Sequence, residues 1–226
     1  MSRYTGYNQS GFANSTVAVT RAASGSSSPV NHDKDPVQVY LPFDSNTDDA
    51  SANNNTMTSG NVTVSSTQAK FGGNSASFSG TNSYITISGS QSAFQFTGGF
   101  TVEMWVYINS ISGYVALTGC HNGSGWFLQT HPSQTRFWMD NSNAATTSET
   151  IPTGEWVHVA ASRQEVSGTT RLFFNGIEKA SSTSPNTVTT NRDLFIGAYR
   201  ASDGQHFDGY IDDFRMTNGV GLYTKN

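Results

Sequence analysis

The sequence predicts an all-β fold, a sandwich of two antiparallel sheets in jelly-roll form, preceded by an extended N-terminal arm. Three observations carry this. From Val37 onward, short β-branched and aromatic runs alternate with clusters of Gly, Asn and Ser. No window shows a 3.6-residue apolar period. Asn175-Gly176 stands between two strand-like runs in LFFNGIEKA, the strongest short-range hairpin signal.

The elements follow in order. Residues 1–36 include RAASGSSSPVNHDKDP and show no sustained alternation, so they read as an arm and linker, with STVAVT able to pair only if it docks on a neighbour. VQVYLPF opens the sandwich, which spans residues 37–226. FDSNTDDASANNNTMTSG, Phe43 to Gly60, is too polar to bury and is expected on a rim. NVTVS, AKFGGNSASFS, YITIS, FTVEMWVYI, GYVALTGC, GWFLQT, TRFWMD, EWVHVAASRQ, TTRLFFNGIEKAS, DLFIGAY and FDGYIDDFRMT are the remaining strand runs. FTVEMWVYI is the most telling. Alternation puts Phe100, Val102, Met104, Val106 and Ile108 on the core face. Thr101, Glu103, Trp105, Tyr107 and Asn109 then share the other face, polar and aromatic, which suits water, another loop layer or a ligand. There Glu103 is a catalytic acid, a metal ligand, or an outward residue meeting a strand-borne Arg or Lys.

Composition narrows the class. Hydrophobic residues make up 35% and charged residues 12%. Ser, Thr, Asn and Gly fill the difference, as in extracellular or particle-surface β proteins. The net charge of -4 offers no basic field for nucleic acid. No apolar run approaches the roughly 20 residues that cross a bilayer, so no membrane partner is expected. The N-terminus has no compact hydrophobic segment, so no signal peptide is expected either. A lone cysteine, Cys120, allows no internal disulfide and reads as a buried small hydrophobe. N-x-S/T sequons at Asn8, Asn14, Asn54, Asn61 and Asn122 are what chance yields in so Asn- and Ser-rich a chain.

The ordered set LPFD…DDAS, KFGGNSASFSG, FTVEMWVY, GEWVHVAASR, RLFFNG and FDGYIDDFRM resembles the laminin-G-like domains of the concanavalin A-like lectin/glucanase superfamily, from about Val37 to Tyr223. The resemblance implies a jelly roll whose first and last strands are adjacent. Such domains occur in phage tail and head-fibre proteins, adhesins and the carbohydrate-binding parts of glycosidases. The opening MSRYTGYNQSG is similar to the start of structural proteins from marine phages.

Each candidate chemistry has a plain alternative. Retaining glycosidases need two carboxylates about 5 Å apart. Superfamily glucanases carry them as Glu-x-Asp-x-Glu, but here Glu103 is followed by Trp105 and Tyr107, so no enzyme is expected. His158 has no Ser elbow near it and reads as structural. Calcium wants six to eight oxygens. Asp44, Asp48 and Asp49 share one loop and Asp213 joins them if the terminal strands pair, a rim site that the resemblance supports. The alternative there is an Asx-rich turn. Sugar sites combine an aromatic platform with polar edges. Trp126, Gln129, His131, Arg136, Trp138 and Asp140 supply that mixture. Tyr199, Arg200 and His206 come from a loop able to close over them. Core or inter-subunit packing of the Trp residues is the alternative.

The expectation is a non-enzymatic virion surface protein of the phage fibre or decoration type, adhering to host surface polysaccharide. It would assemble in the host cytoplasm as a homo-oligomer, joined to other virion proteins through its arm. The other classes are a purely structural virion protein and a glycoside hydrolase or its accessory module.

Overall fold

Fifteen strands among the described residues pair into two antiparallel sheets. The structure is a computed structural model that describes residues 36–88, 91–140, 142–164, 168–183, 187–189, 191–202 and 204–224. The predicted arm, apart from Pro36, lies outside the described residues.

The strands are β1 (Val37–Leu41), β2 (Met57–Gly60), β3 (Val62–Ser65), β4 (Ser75–Ser79), β5 (Tyr84–Ile87), β6 (Phe100–Ile108), β7 (Val115–His121), β8 (Gly125–His131), β9 (Gln134–Met139), β10 (Ser142–Thr147), β11 (Trp156–Arg163), β12 (Thr169–Phe174), β13 (Ile177–Thr183), β14 (Leu194–Ile196) and β15 (Asp208–Asn218). Sheet A runs β13-β12-β11-β6-β15-β4-β3, with β1 also on β15. Sheet B runs β10-β9-β8-β7-β14-β5-β2.

The predicted β6 alternation holds for the core. Phe100, Val102, Met104, Val106 and Ile108 are fully buried between the sheets. Facing them from sheet B are Trp126, Leu128, Phe137, Met139, Ile85 and Ile196. Ring contacts tie the layers, Phe96 to Phe100 at 4.1 Å and Phe100 to Phe137 at 5.3 Å. The Asn175-Gly176 turn joins β12 and β13 with φ of 48° and 78°. Both residues are left-handed, as a two-residue hairpin with strand-like twist requires.

β1 does lie beside β15. β15 pairs with β4 through Asp208–Ile211 and with β1 through Phe214–Thr217. Against β6 its register slips between Asp212 and Arg215, where Asp213 has a φ of 48°. This bulge sets Asp212 opposite Trp105 and Arg215 opposite Glu103. Two residues three apart therefore share one face, which strict alternation forbids.

Two strands exceed the sequence reading. Met57–Gly60, read as the end of a rim loop, forms β2, and Ser142–Thr147 forms β10. Each pairs on one side only, at an edge of sheet B. Small and polar residues suffice at such an edge, because little apolar surface has to be covered.

The outer face of sheet A is partly sealed by the chain after β15. Gly219 N donates to Gly99 O at 2.7 Å, Leu222 N to Thr101 Oγ1 at 2.9 Å, and Tyr223 N to Ser162 Oγ at 3.2 Å. Of the partners this polar and aromatic face suits, water, a loop layer or a ligand, it is the loop layer that covers it, burying Thr101, Glu103 and Trp105, each at most 8% exposed.

Candidate functional site

Beneath that strap, Glu103 holds a closed polar network. Arg215 Nε donates to Glu103 Oε1 at 2.6 Å, and a second guanidinium nitrogen makes the same contact. The other carboxylate oxygen takes His158 Nε2 at 3.1 Å and the Tyr223 hydroxyl. Burial pulls the Arg215 guanidinium down to about 10. Burial first, and Glu103 second, push the Tyr223 hydroxyl well above its ordinary 10.0. An Arg partner for Glu103 was expected; its burial was not.

The neighbouring carboxylate is occupied too. Asp212 is fully buried. It accepts Lys70 N and Phe71 N, both at 2.9 Å, on one oxygen and Asp213 N at 2.9 Å on the other. Neither acid is aimed at solvent, where a glycosidic bond would have to lie.

The four calcium candidates do not fit a shared ion. Asp49 is 5% exposed and its two oxygens already accept Tyr40 N, Ser51 N, Ser51 Oγ, Asn55 N and Asn55 Nδ2 at 2.7–3.0 Å. It organises an Asx-rich loop, the alternative weighed for it. Asp48 is exposed and accepts Asn46 Nδ2 at 2.6 Å. Asp213 accepts the Tyr40 hydroxyl at 3.1 Å while Asp49 holds the Tyr40 amide, so the two carboxylates sit at opposite ends of one tyrosine. Asp44 uses its carbonyl, not its carboxylate, to receive Asn74 Nδ2 at 2.6 Å. Among the described residues, no group of three or more His, Cys, Asp or Glu side chains is placed to hold a metal.

The sugar candidates lie on sheet B, with one correction. Trp126 pairs with Met139 and points inward with it. It is fully buried, its Nε1 donating to Phe94 O at 2.9 Å, and no ligand can reach it. Its neighbour Phe127 takes the outer position instead. Trp138 stacks on Phe127 at 5.0 Å, and Phe127 on Tyr199 at 4.8 Å. The Arg136 guanidinium lies 5.4 Å from the Phe127 ring and 4.7 Å from that of Tyr114, while the Arg200 guanidinium lies 5.5 Å from the Tyr199 ring.

The loop carrying Tyr199 does fold across this face. Ala116 N donates to Gln205 O at 2.9 Å and Phe207 N to Gly197 O at 2.8 Å. Gly119 makes the approach possible, since a Cβ there would stand 2.5 Å from that of Tyr199. The loop also covers two expected ligand contacts. Gln129 is 1% exposed, receiving Arg136 Nε at 3.0 Å and donating to the Gln205 side chain. Tyr199 is 7% exposed within the ring stack. Both act from beneath, placing Arg136 and the loop, rather than as open contacts. Arg136, Trp138 and Arg200 stay partly exposed, and Asp140 is exposed in a left-handed turn with its amide on Gly125 O.

Beside this face opens a polar cleft of about 530 Å³ between the β4–β5 turn, the β6–β7 connection and the end of the Tyr199 loop. Tyr114, 37% exposed, forms its aromatic wall. Gln134 donates to the Tyr114 hydroxyl at 2.7 Å and the His131 ring lies 4.5 Å away. Ser110, Ser112, Gln205, His206 and Asp208 supply polar edges. Asp208 is oriented by Asn109 Nδ2 at 2.9 Å. Of the predicted sugar-site residues, His206 lines this cleft, and His131 and Arg136 stand against its Tyr114 ring without lining it. Tyr114 and Asp208 were missed: each stands near the start of a strand run, GYVALTGC and FDGYIDDFRMT, where nothing local marks it as lining a cleft.

Comparison with known proteins follows this geometry. A laminin-G-type family model, described as the concanavalin A-like lectin/glucanases superfamily, matches residues 79–220. No curated protein matches the chain. Among solved structures, the chain resembles domain 4 of AbnA, a GH43 extracellular arabinanase from Geobacillus stearothermophilus, in complex with arabinotriose. The TM-score is 0.65 at 21% identity, over 84% of this chain and 99% of that one. It also resembles the binding domain of Paraclostridial Mosquitocidal Protein 1, with TM-score 0.66 and 14% identity over 80% of this chain and 48% of that. The Botulinum neurotoxin serotype G binding domain gives 0.61 and 16%, over 81% and 47%. The chain thus spans about half the length of these toxin domains. At these identities the likeness shows the fold alone.

Proposed function

The chain belongs to the concanavalin A-like lectin/glucanases superfamily, and from that premise we propose that it is a non-enzymatic module that binds a saccharide beside the outer face of sheet B. One observation carries the reading. The cleft of about 530 Å³ sets an exposed Tyr114 ring against the hydroxyls, amide and carboxylate of Ser110, Ser112, Gln205 and Asp208. A sugar ring has an apolar face and hydroxyl edges, and this wall and these edges match both. Support also comes from the arabinanase domain of similar fold, whose structure is a complex with arabinotriose.

A glycan-binding screen of the full chain, with calcium and again with chelator, tests this. Binding of a surface polysaccharide that falls at least about tenfold in Tyr114→Ala is the expected result. Binding to no glycan in either buffer, or binding indifferent to Tyr114, overturns it.

The finer reading sets the module on a virus particle, of the phage fibre or decoration type, holding host surface polysaccharide. The neutral, Ser- and Asn-rich composition and the opening MSRYTGYNQSG support it. Residues 1–36 would join it to other virion proteins or to sister copies. Antibody labelling of intact particles checks the placement. The self-packed Trp138–Phe127–Tyr199 stack favours a second, purely structural role, in which those rings are inter-subunit packing. Loss of particle assembly in Trp138→Ala, with no glycan bound, is the result that would select it.

A further inference from the structure

A second cleft, of about 310 Å³, opens beside the same sheet face, and its chemistry differs from the first. The β7–β8 turn brings His121 and Asn122 to it, the segment before β14 brings Asn191 and Arg192, and the Tyr199 loop brings Arg200. Its described lining residues include two guanidinium groups, Arg192 and Arg200, and one carboxylate, Asp193. Arg192 Nε is buried with no hydrogen-bond partner among the described residues. Its backbone is fixed, because Cys120 Sγ donates to Arg192 O at 3.3 Å. The other guanidinium, on Arg200, rests by the Tyr199 ring.

The wall is aromatic as well as cationic, lined by the His121 and Phe195 rings. The His121 ring meets Trp138 edge-on at 4.9 Å and Tyr199 at 5.6 Å. At the mouth, Asn122 and Asn191 are exposed amides. A free inorganic anion would use the guanidinium groups and leave the rings and amides idle. A neutral sugar would use the rings and amides and leave a buried guanidinium donor unmatched, which is costly. A sugar that carries a carboxylate uses all three, since a guanidinium fork donates two parallel hydrogen bonds to a carboxylate.

We propose that this cleft selects acidic saccharides, with Arg192 and Arg200 taking the carboxylate of a uronic-acid unit and the His121 and Phe195 side chains taking its ring. The proposal rests on the saccharide-binding reading above and names the ligand class within it.

Calorimetry on the full chain, with trigalacturonate and its methyl ester as paired probes, tests it. The two probes share a backbone and differ in charge. The acid is expected to bind about tenfold tighter than the ester, and its affinity to fall as salt rises. Arg192→Gln and Arg200→Gln should reduce the acid to the affinity of the ester, with melting temperatures within a few degrees of the parent chain. Arg192→Lys, which keeps the charge and loses the fork, should recover only part of the preference. Equal binding of acid and ester overturns the proposal, as does displacement of the acid by an equal concentration of inorganic sulfate. If neutral glycans still bind in a Tyr114-dependent way, only the acidic selectivity has failed. If neither probe binds and no glycan does, the saccharide-binding reading falls with it.

Discussion

Replacing Glu103 by Gln separates a structural carboxylate from a catalytic one. The change keeps the side-chain shape and removes the charge. Arg215, with a side chain 7% exposed, then keeps a guanidinium in the protein interior without its carboxylate. Breaking a buried pair from one side costs about 3–5 kcal/mol, because the surviving ion is uncompensated. For a domain of this size, 1 kcal/mol moves the melting temperature by about 2–4 °C. The expected fall is therefore about 6–20 °C, read by differential scanning calorimetry or by a urea midpoint at unchanged slope. A companion chain with Glu103→Leu and Arg215→Met should regain most of the loss, since well-packed apolar replacements of a buried pair are often neutral. Tyr223 and His158 lose a partner in both chains, so recovery will be incomplete. A shift below about 1 kcal/mol in Glu103→Gln would refute the argument that this network is closed and buried. Loss of a polysaccharide-cleaving activity at unchanged stability would refute the non-catalytic reading outright.

Further outcomes are expected elsewhere in the molecule. Burial, and Asp193 after it, raise the Cys120 thiol from 9.0 to about 12. The folded value lies above the unfolded one, so stability is whole below pH 9 and declines as pH climbs toward 12. Cys120→Ala should flatten that decline in alkaline melting curves, and native Cys120 should resist alkylation at neutral pH. Gly119→Ala places a Cβ 2.5 Å from Tyr199 Cβ and 2.7 Å from Phe127 Cβ. It should cost about 1–3 kcal/mol and increase protease cutting in the Tyr199 loop. Asp49→Ala removes an acceptor used by five donors and should destabilise by about 2–4 kcal/mol. A chelator should leave the melting temperature of the parent chain unmoved, and a large fall would restore a metal to the Asp44–Asp49 loop.

Where the sequence alternates, it was readable. The β6 run gave its core face residue by residue, and the Asn175-Gly176 hairpin stands where its dipeptide put it. Trp126 was misplaced although alternation held the answer. Trp126 and Gln129 are three apart on one strand and cannot share a face, so the outer position belonged to Phe127. The Asp212–Arg215 bulge could not be read this way, because an extra residue resets the alternation and leaves no compositional mark. Nor could the burial of Glu103 beneath Tyr223. That contact links residues far apart in the chain, and nothing local in GLYTKN announces a strap. The cleft at Tyr114 was legible only in part, because it is assembled from three connections whose meeting depends on the sheets already being in place.

The position of β15 sets an order on the making of the protein. It is the last described strand, yet in the sheet it stands between β6 on one side and β4 and β1 on the other. While a ribosome is still synthesising the chain, β6 and β4 have no β15 between them, and their facing backbone groups stay unpaired. Such edges invite pairing with the wrong chain. Until residues 208–218 leave the exit tunnel, the nascent domain is a divided sheet, and their arrival joins β6 to β4 and β1. Chaperone dependence and slow, all-or-none maturation are the expected marks of a sheet joined by a strand so distant in sequence from its partners.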